Sequence, residues 1–124
     1  MGEDAKVAVR VRPDPNEPIE IQLMSEGFLD IFDARDISAT GIGILVPYRF
    51  EGCHLKSPVD LVITLPAAEP FLAKARIIHR TKVARKFFGV EFVDLPSWHT
   101  AEIMRYVERR LADDRGDWLA NSPQ

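Results

Sequence analysis

The periodicity of the apolar residues changes once along this chain of 124 residues, at Pro96. Before Pro96, short segments alternate between apolar and polar residues, which is typical of half-buried β-strands because successive side chains point to opposite faces. After Pro96, apolar residues recur at the spacing of an amphipathic helix, at Ile103, Met104, Val107 and Leu111. The pattern predicts a series of strands followed by one helix over residues 97–112. The predicted strands are residues 19–23, 28–37, 42–46, 59–65, 71–80 and 87–93.

The order of these elements limits the fold class. A parallel α/β sheet needs helices between its strands, and the sequence predicts none there. An antiparallel sheet can instead close on itself, which removes its exposed edges, and a helix can then cover one end. The sequence therefore predicts an all-β fold, a small antiparallel β-barrel of six or seven strands with one C-terminal α-helix.

The chain is long enough for one domain with its own apolar core, since 46% of its residues are hydrophobic. Residues 1–18 are polar and contain three closely spaced prolines, which fix φ and remove backbone donors. We therefore predict a flexible arm over residues 1–18 and a barrel with its helix over residues 19–112. Residues 113–124 are predicted to form a loose tail.

The charge composition argues against several classes of partner. Sixteen basic and 19 acidic residues give a net charge of −3, whereas non-specific binding to duplex DNA needs a broad basic face. No apolar run approaches the roughly 18 residues of a membrane-spanning helix, and the acidic N-terminus lacks the apolar segment of a secretory signal. We expect a cytoplasmic protein with no DNA partner and no membrane span.

No catalytic or metal-binding motif stands out in the sequence. The single cysteine, Cys53, adjoins His54, but neighbouring residues on an extended segment point apart and chelate poorly. His79 and His99 are isolated from them in sequence, so we interpret the histidines as structural or surface residues. There is no glycine-rich phosphate loop and no recognisable nucleophile motif. The sequence thus predicts no catalytic residue, no metal and no cofactor.

Two polar features are candidates for ligand binding. Arg10 and Arg12 lie in the arm, and a guanidinium group matches a phosphate or a guanine edge with two parallel hydrogen bonds. Asp36 and Ser38 share one side of an alternating strand, and Gly41 permits a close approach of the backbone. Solvated arginines and a polar strand end with a turn glycine are the alternative interpretations.

Taken together, these parts resemble the PilZ domain family over roughly residues 7–112. The resemblance rests on an arginine-containing arm, on the pattern Asp36-x-Ser38-x-x-Gly41, and on the Gly-Val-Glu-Phe sequence at residues 89–92 before the helix. It implies a six-stranded β-barrel with a helix at one end. Many members of this bacterial family are receptors for the second messenger cyclic di-GMP, which they bind through an Arg-x-x-x-Arg arm and an (Asp/Asn)-x-Ser-x-x-Gly motif.

The first of these motifs is degenerate in this chain. Arg12 lies at the usual distance before the first strand, which assigns it as the second arginine and leaves Ala8 in place of the first. The other register, Lys6-x-x-x-Arg10, supplies a lysine in place of an arginine. Lysine lacks the planar fork that a stacked or bidentate contact requires.

The resemblance implies a cyclic di-GMP receptor, a single domain that acts in trans on an unidentified downstream protein to regulate motility, biofilm formation or a related output. Asp36 and Ser38 would hold a guanine edge, Gly41 would allow close approach, and Arg10 and Arg12 would clamp the phosphates and the other guanine face.

The degenerate arm leaves a second function open, a protein-interaction adaptor that does not bind cyclic di-GMP. Its candidate surface is the helix at residues 97–112, with the charged flank Arg105, Glu108, Arg109 and Arg110. The simpler interpretation of this flank is a solvated helix face.

Overall fold

The computed structural model describes residues 9–25, 28–46, 55–80 and 86–121; at residues 28, 79, 80, 86 and 114–121 it describes the backbone without the side chain. Within these ranges the chain forms six strands and one helix. The elements are β1 (Glu20–Ser25), β2 (Phe28–Ile37), β3 (Gly41–Val46), β4 (Pro58–Thr64), β5 (Phe71–Arg80), β6 (Lys86–Phe92) and α1 (Ser97–Asn121).

The six strands form a closed barrel in the order β1-β2-β3-β6-β5-β4, and the pairing of β1 with β4 closes it. All six neighbouring pairs are antiparallel. The predicted antiparallel barrel with a C-terminal helix is therefore confirmed, and each predicted strand is present. Closure leaves none of these strands with an unpaired edge.

The core follows from the period-two alternation within the strands. In β4, for example, Val59, Leu61 and Ile63 are buried, whereas the residues between them are exposed or partly exposed. The buried face of α1 contributes Ile103, Tyr106 and Val107 to the same apolar cluster. Packing against this cluster holds the helix on the barrel.

The helix differs from its prediction in two respects. It extends to Asn121, so residues 113–121 continue the helix that we expected to end at residue 112. Trp98 is 65% exposed, and Met104, which the spacing assigned to the apolar face, is 39% exposed. At about 100° per residue, these two side chains lie on either side of the helix face that carries Ile103 and Tyr106.

Tyr106 is a polar residue within the core. Its side chain is 3% exposed, and its hydroxyl has no hydrogen-bond partner among the described residues. Burial raises the pKa of Tyr106 above its ordinary value of 10.0, although the positive charges of Arg110 and Arg109 act in the opposite direction. Because the folded state disfavours the ionised phenol, the free energy of unfolding is unaffected by this titration below pH 10.0 and falls as the pH rises through the folded pKa.

Replacing Tyr106 with phenylalanine is expected to raise the free energy of unfolding at neutral pH by about 1 kcal/mol, because the variant no longer buries an unpaired hydroxyl. The advantage should grow above about pH 10, where the wild-type tyrosine ionises on unfolding. Thermal denaturation of both proteins between about pH 8 and pH 11 measures both effects. A variant that is less stable at neutral pH would contradict this account of the hydroxyl.

Candidate functional site

The arm is attached to the barrel through Val11. Its backbone exchanges two hydrogen bonds with Ile37, of 3.0 and 2.9 Å, and its side chain is 4% exposed. Because neighbours in an extended segment point to opposite sides, Arg10 and Arg12 are directed to the outer surface when Val11 is buried. One apolar anchor thus presents two guanidinium groups beside the end of β2.

Arg10 connects the arm to the Asp-x-Ser motif. Its Nη2 and Nε donate to Oδ1 of Asp36 at 2.6 and 3.0 Å, and its Nη1 donates to the hydroxyl of Ser38 at 3.3 Å. Three residues that the sequence predicted as ligand-binding are therefore in direct contact. The side chain of Arg10 remains 44% exposed, and that of Asp36 is 14% exposed, so the cluster is accessible from one side.

Ser38 also stabilises the turn between β2 and β3. It is fully buried, and its hydroxyl accepts a hydrogen bond from the amide of Thr40 at 3.2 Å and lies 3.1 Å from the hydroxyl of that residue. Its own amide donates to the carbonyl of Gly41 at 2.9 Å. The hydroxyl thus supports Arg10 from within the protein.

A β-bulge gives Asp36 a cationic neighbour that sequence reasoning missed. The pairing of β2 with β3 shifts register between Ala34 and Asp36, so Arg35 has no partner across the strands. The extra residue places Arg35 and Asp36 consecutively on the outer side. Nη1 of Arg35 lies 3.1 Å from Oδ2 of Asp36, and its guanidinium carbon lies 4.3 Å from the ring centroid of Phe87. No glycine or other turn residue marks this bulge, so the alternation of the strand does not predict it.

A cavity of about 540 Å³ adjoins this cluster, a volume within the range of small-molecule sites. It lies between the arm and the outer surface of strands β2, β3 and β6. The lining residues that matter for charge and stacking are Arg12, Asp14, Asp33, Arg35 and Phe87. Arg12 therefore lies at the candidate site, but it takes a different position from Arg10.

The helix holds the same arm. Nε of Arg110 donates to the backbone carbonyl of Arg12 at 2.9 Å, and the side chain of Arg110 is only 13% exposed. The sequence indicated that Arg110 belongs to a solvated helix face. In the structure this side chain is instead mostly buried and connects α1 to the arm. The contact links the C-terminal helix to one wall of the cavity.

Two glycines at the site leave room for neighbouring groups that a Cβ would displace. A Cβ at Gly43 would lie 2.7 Å from Oδ1 of Asp36, so this glycine leaves room for the carboxylate. A Cβ at Gly41 would collide with the backbone carbonyl of Val90 in β6. The close approach that Gly41 permits in this structure is therefore between two strands of the barrel.

Replacing Gly43 with alanine is expected to weaken ligand binding at this site by about tenfold, because the new methyl group displaces the Asp36 carboxylate from Arg10. The free energy of unfolding should change less than it would if the new methyl group met a backbone atom, since the Asp36 side chain can rotate away. Titration calorimetry and thermal denaturation of the same sample separate the two effects. Unchanged affinity would show that the carboxylate is not held in a required position.

The remaining sequence candidates have structural roles or lie outside the described residues. His99 stacks on Phe71 with ring centroids 4.3 Å apart and lies 2.9 Å from Glu102, as a packed structural histidine does. Cys53 and His54, together with Lys6 and Ala8 of the arm, lie outside the described residues. Within the part of the chain that is described, no cluster of three or more acidic, histidine or cysteine side chains could hold a metal ion.

Comparison with known proteins agrees with this architecture. The family model described as PilZ domain matches residues 6–109. The PilZ domain of Escherichia coli YcgR with cyclic di-GMP superposes with a TM-score of 0.76 at 12% identity, over 94% of this chain and 98% of that one. No curated protein matches the sequence.

Two longer proteins also contain this fold. The Bacillus subtilis inhibitor of motility, MotI, superposes with a TM-score of 0.74 at 17% identity, over 86% of this chain and 51% of its own. The K. pneumonia MrkH–cyclic di-GMP complex gives a TM-score of 0.75 at 11% identity, over 90% of this chain and 54% of its own. The chain thus spans about half the length of each. Across the residues that the structure describes, no helix has the length and apolar character to cross a membrane.

Proposed function

This chain belongs to the PilZ domain family, and on that premise we propose that it is a receptor for cyclic di-GMP. The observation that supports this most is the direct contact of Arg10 with both Asp36 and Ser38, beside Arg35, which lines the cavity. A whole Asp-x-Ser-x-x-Gly motif is therefore joined to a guanidinium of the arm. The YcgR and MrkH structures that share this fold are complexes with cyclic di-GMP.

The hydrogen bonds that the Asp36 carboxylate already accepts indicate how such a ligand would bind. A carboxylate offers about four lone-pair sites, and Arg10 uses two of those on Asp36 while Arg35 uses a third. A guanine edge presents two N–H donors, so it can pair with this carboxylate only if an arginine releases a hydrogen bond. We propose that Arg10 moves from Asp36 to a phosphate of the ligand as the guanine edge takes its place.

The other candidate residues support that exchange. Arg12 lines the cavity, where it would meet a phosphate or the second guanine face. Ser38 is fully buried, so it would act by positioning Arg10. Gly41 would act by seating the turn against β6.

Binding would reposition the arm and thereby present a changed surface to a downstream protein. We propose motility or biofilm formation as the output, acting in trans, since a protein of the same fold is an inhibitor of motility. The hydrogen bond from Arg110 to the arm provides a physical link from the cavity to α1.

Titration calorimetry of cyclic di-GMP into the wild-type chain tests the proposal directly. We expect saturation in the micromolar range or tighter, with a stoichiometry that distinguishes a single ligand from a stacked pair. The control is cyclic GMP, which has one guanine and one phosphate and should bind far more weakly. No heat from a folded sample at high concentration would reject the receptor function.

The exposed face of α1 favours a second candidate, an adaptor that binds a protein partner without the nucleotide. Trp98 and Met104 are exposed on either side of its buried face, and large apolar side chains of this type are enriched at protein interfaces. If the titration shows no binding, this helix becomes the surface to test.

A further inference from the structure

Arg35 occupies a position that the register of the strands imposes. The bulge after Ala34 turns it outward beside Asp36, and its side chain is 38% exposed at the wall of the cavity. It belongs to neither of the two sequence motifs. Its placement is therefore a property of this barrel and not of the arm.

The guanidinium of Arg35 is held in place, but most of its N–H donors bond to no other described residue. Among the described residues its hydrogen-bond partner is Asp36, through Nη1 alone, while Phe87 supports one face of the plane. A cation over an aromatic ring and against a carboxylate loses little further freedom when it binds an anion. The Nε and Nη2 groups remain available as a two-pronged donor for a phosphate.

The positive charge of Arg35 offsets the excess of carboxylates around the cavity. Arg12, Asp14 and Asp33 line the cavity, and Arg10 pairs with Asp36 beside Arg35, so these residues supply two cations and three carboxylates. Without Arg35 the site would carry an excess of negative charge, which opposes a ligand with two phosphates. With Arg35 the charges balance, and any arginine released from Asp36 can face the ligand.

We propose that Arg35 is a ligand-binding residue of this site, contributing a phosphate contact from the barrel wall that complements the arm. This inference rests on the proposed function, because it requires that cyclic di-GMP occupies the cavity. It assigns the phosphate-binding cations to two separate structural elements, the arm and the bulge of β2.

The test is calorimetric titration of cyclic di-GMP into wild type, Arg35→Gln, Arg35→Lys and Arg76→Gln. Arg76 is an exposed arginine of β5 that does not line the cavity, so its variant controls for the loss of one positive charge. We expect Arg35→Gln to bind about 10- to 100-fold more weakly. Arg35→Lys, which keeps the charge without the planar fork, should fall between Arg35→Gln and wild type, whereas Arg76→Gln should resemble wild type.

The outcomes separate this inference from the proposed function. If wild type binds and Arg35→Gln binds equally well, the role of Arg35 is rejected and the receptor function stands. If wild type does not bind, both are rejected. Thermal denaturation of every variant checks its fold, and an Arg35→Lys protein that is as stable as wild type but binds more weakly supports a direct contact.

Discussion

Replacing Arg10 with alanine is expected to lower the affinity for cyclic di-GMP by about 100-fold, the largest effect of any single change in the arm. Arg10 is the residue that reaches both Asp36 and Ser38, so its loss removes the group that we propose to exchange with the incoming guanine. The variant also leaves Asp36 with one cationic neighbour, Arg35, in place of two. Calorimetric titration of variant and wild type at one ionic strength measures the effect.

Two further variants make this prediction specific. Arg76→Ala removes an exposed arginine outside the cavity and should bind like wild type. Arg12→Ala removes a cavity residue that has no contact with the Asp-x-Ser motif, so its effect should be smaller than that of Arg10→Ala. A greater loss in Arg12→Ala would show that the bound arm takes another register from the one described here.

Replacing Gly41 with alanine is expected to destabilise the barrel by about 3 kcal/mol or more, because the new methyl group meets the Val90 carbonyl within the paired strands. Neither partner can rotate away, since both belong to the ladder between β3 and β6. For a domain of this size the melting temperature should fall by roughly 10 °C. Thermal and urea denaturation, followed by circular dichroism, provide the measurement.

The matched control is Gly43→Ala, two residues along the same strand. There the new methyl group meets the side chain of Asp36, so the loss of stability should be clearly smaller. If the two variants are equally stable, the backbone contact between Gly41 and Val90 is looser than the structure indicates.

The strands were predictable because a half-buried barrel imposes strict alternation, and β2 and β5 were predicted at their observed bounds. The end of the helix was not predictable in the same way. Between Leu111 and Trp118 the sequence contains four charged residues and Gly116, which favoured an end to the helix, yet the backbone hydrogen bonding extends to Asn121.

The side chains that meet at the candidate site were largely predictable, but their geometry was not. Arg10, Asp36 and Ser38 were identified by residue type and spacing, and they lie in contact. The sequence assigned the second motif arginine to Arg12 from its distance to the first strand. The structure places Arg10 in contact with Asp36 and Ser38 and places Arg12 at the cavity, a division that depends on tertiary packing. Arg35 was missed because a bulge breaks the alternation on which the prediction depended.

The contact between Gly41 and Val90 shows that the glycine of the Asp-x-Ser-x-x-Gly motif is needed for the fold, apart from any role of the motif in binding. Under the proposed function, a lineage that lost nucleotide binding would still need this glycine to assemble its barrel, whereas Arg10 is 44% exposed and is not among the core residues. The ligand-binding residues can therefore change during evolution while the barrel is retained. Under the proposed function, descendants of such a domain would keep the glycine for the barrel, and their surface arginines would indicate whether cyclic di-GMP still binds.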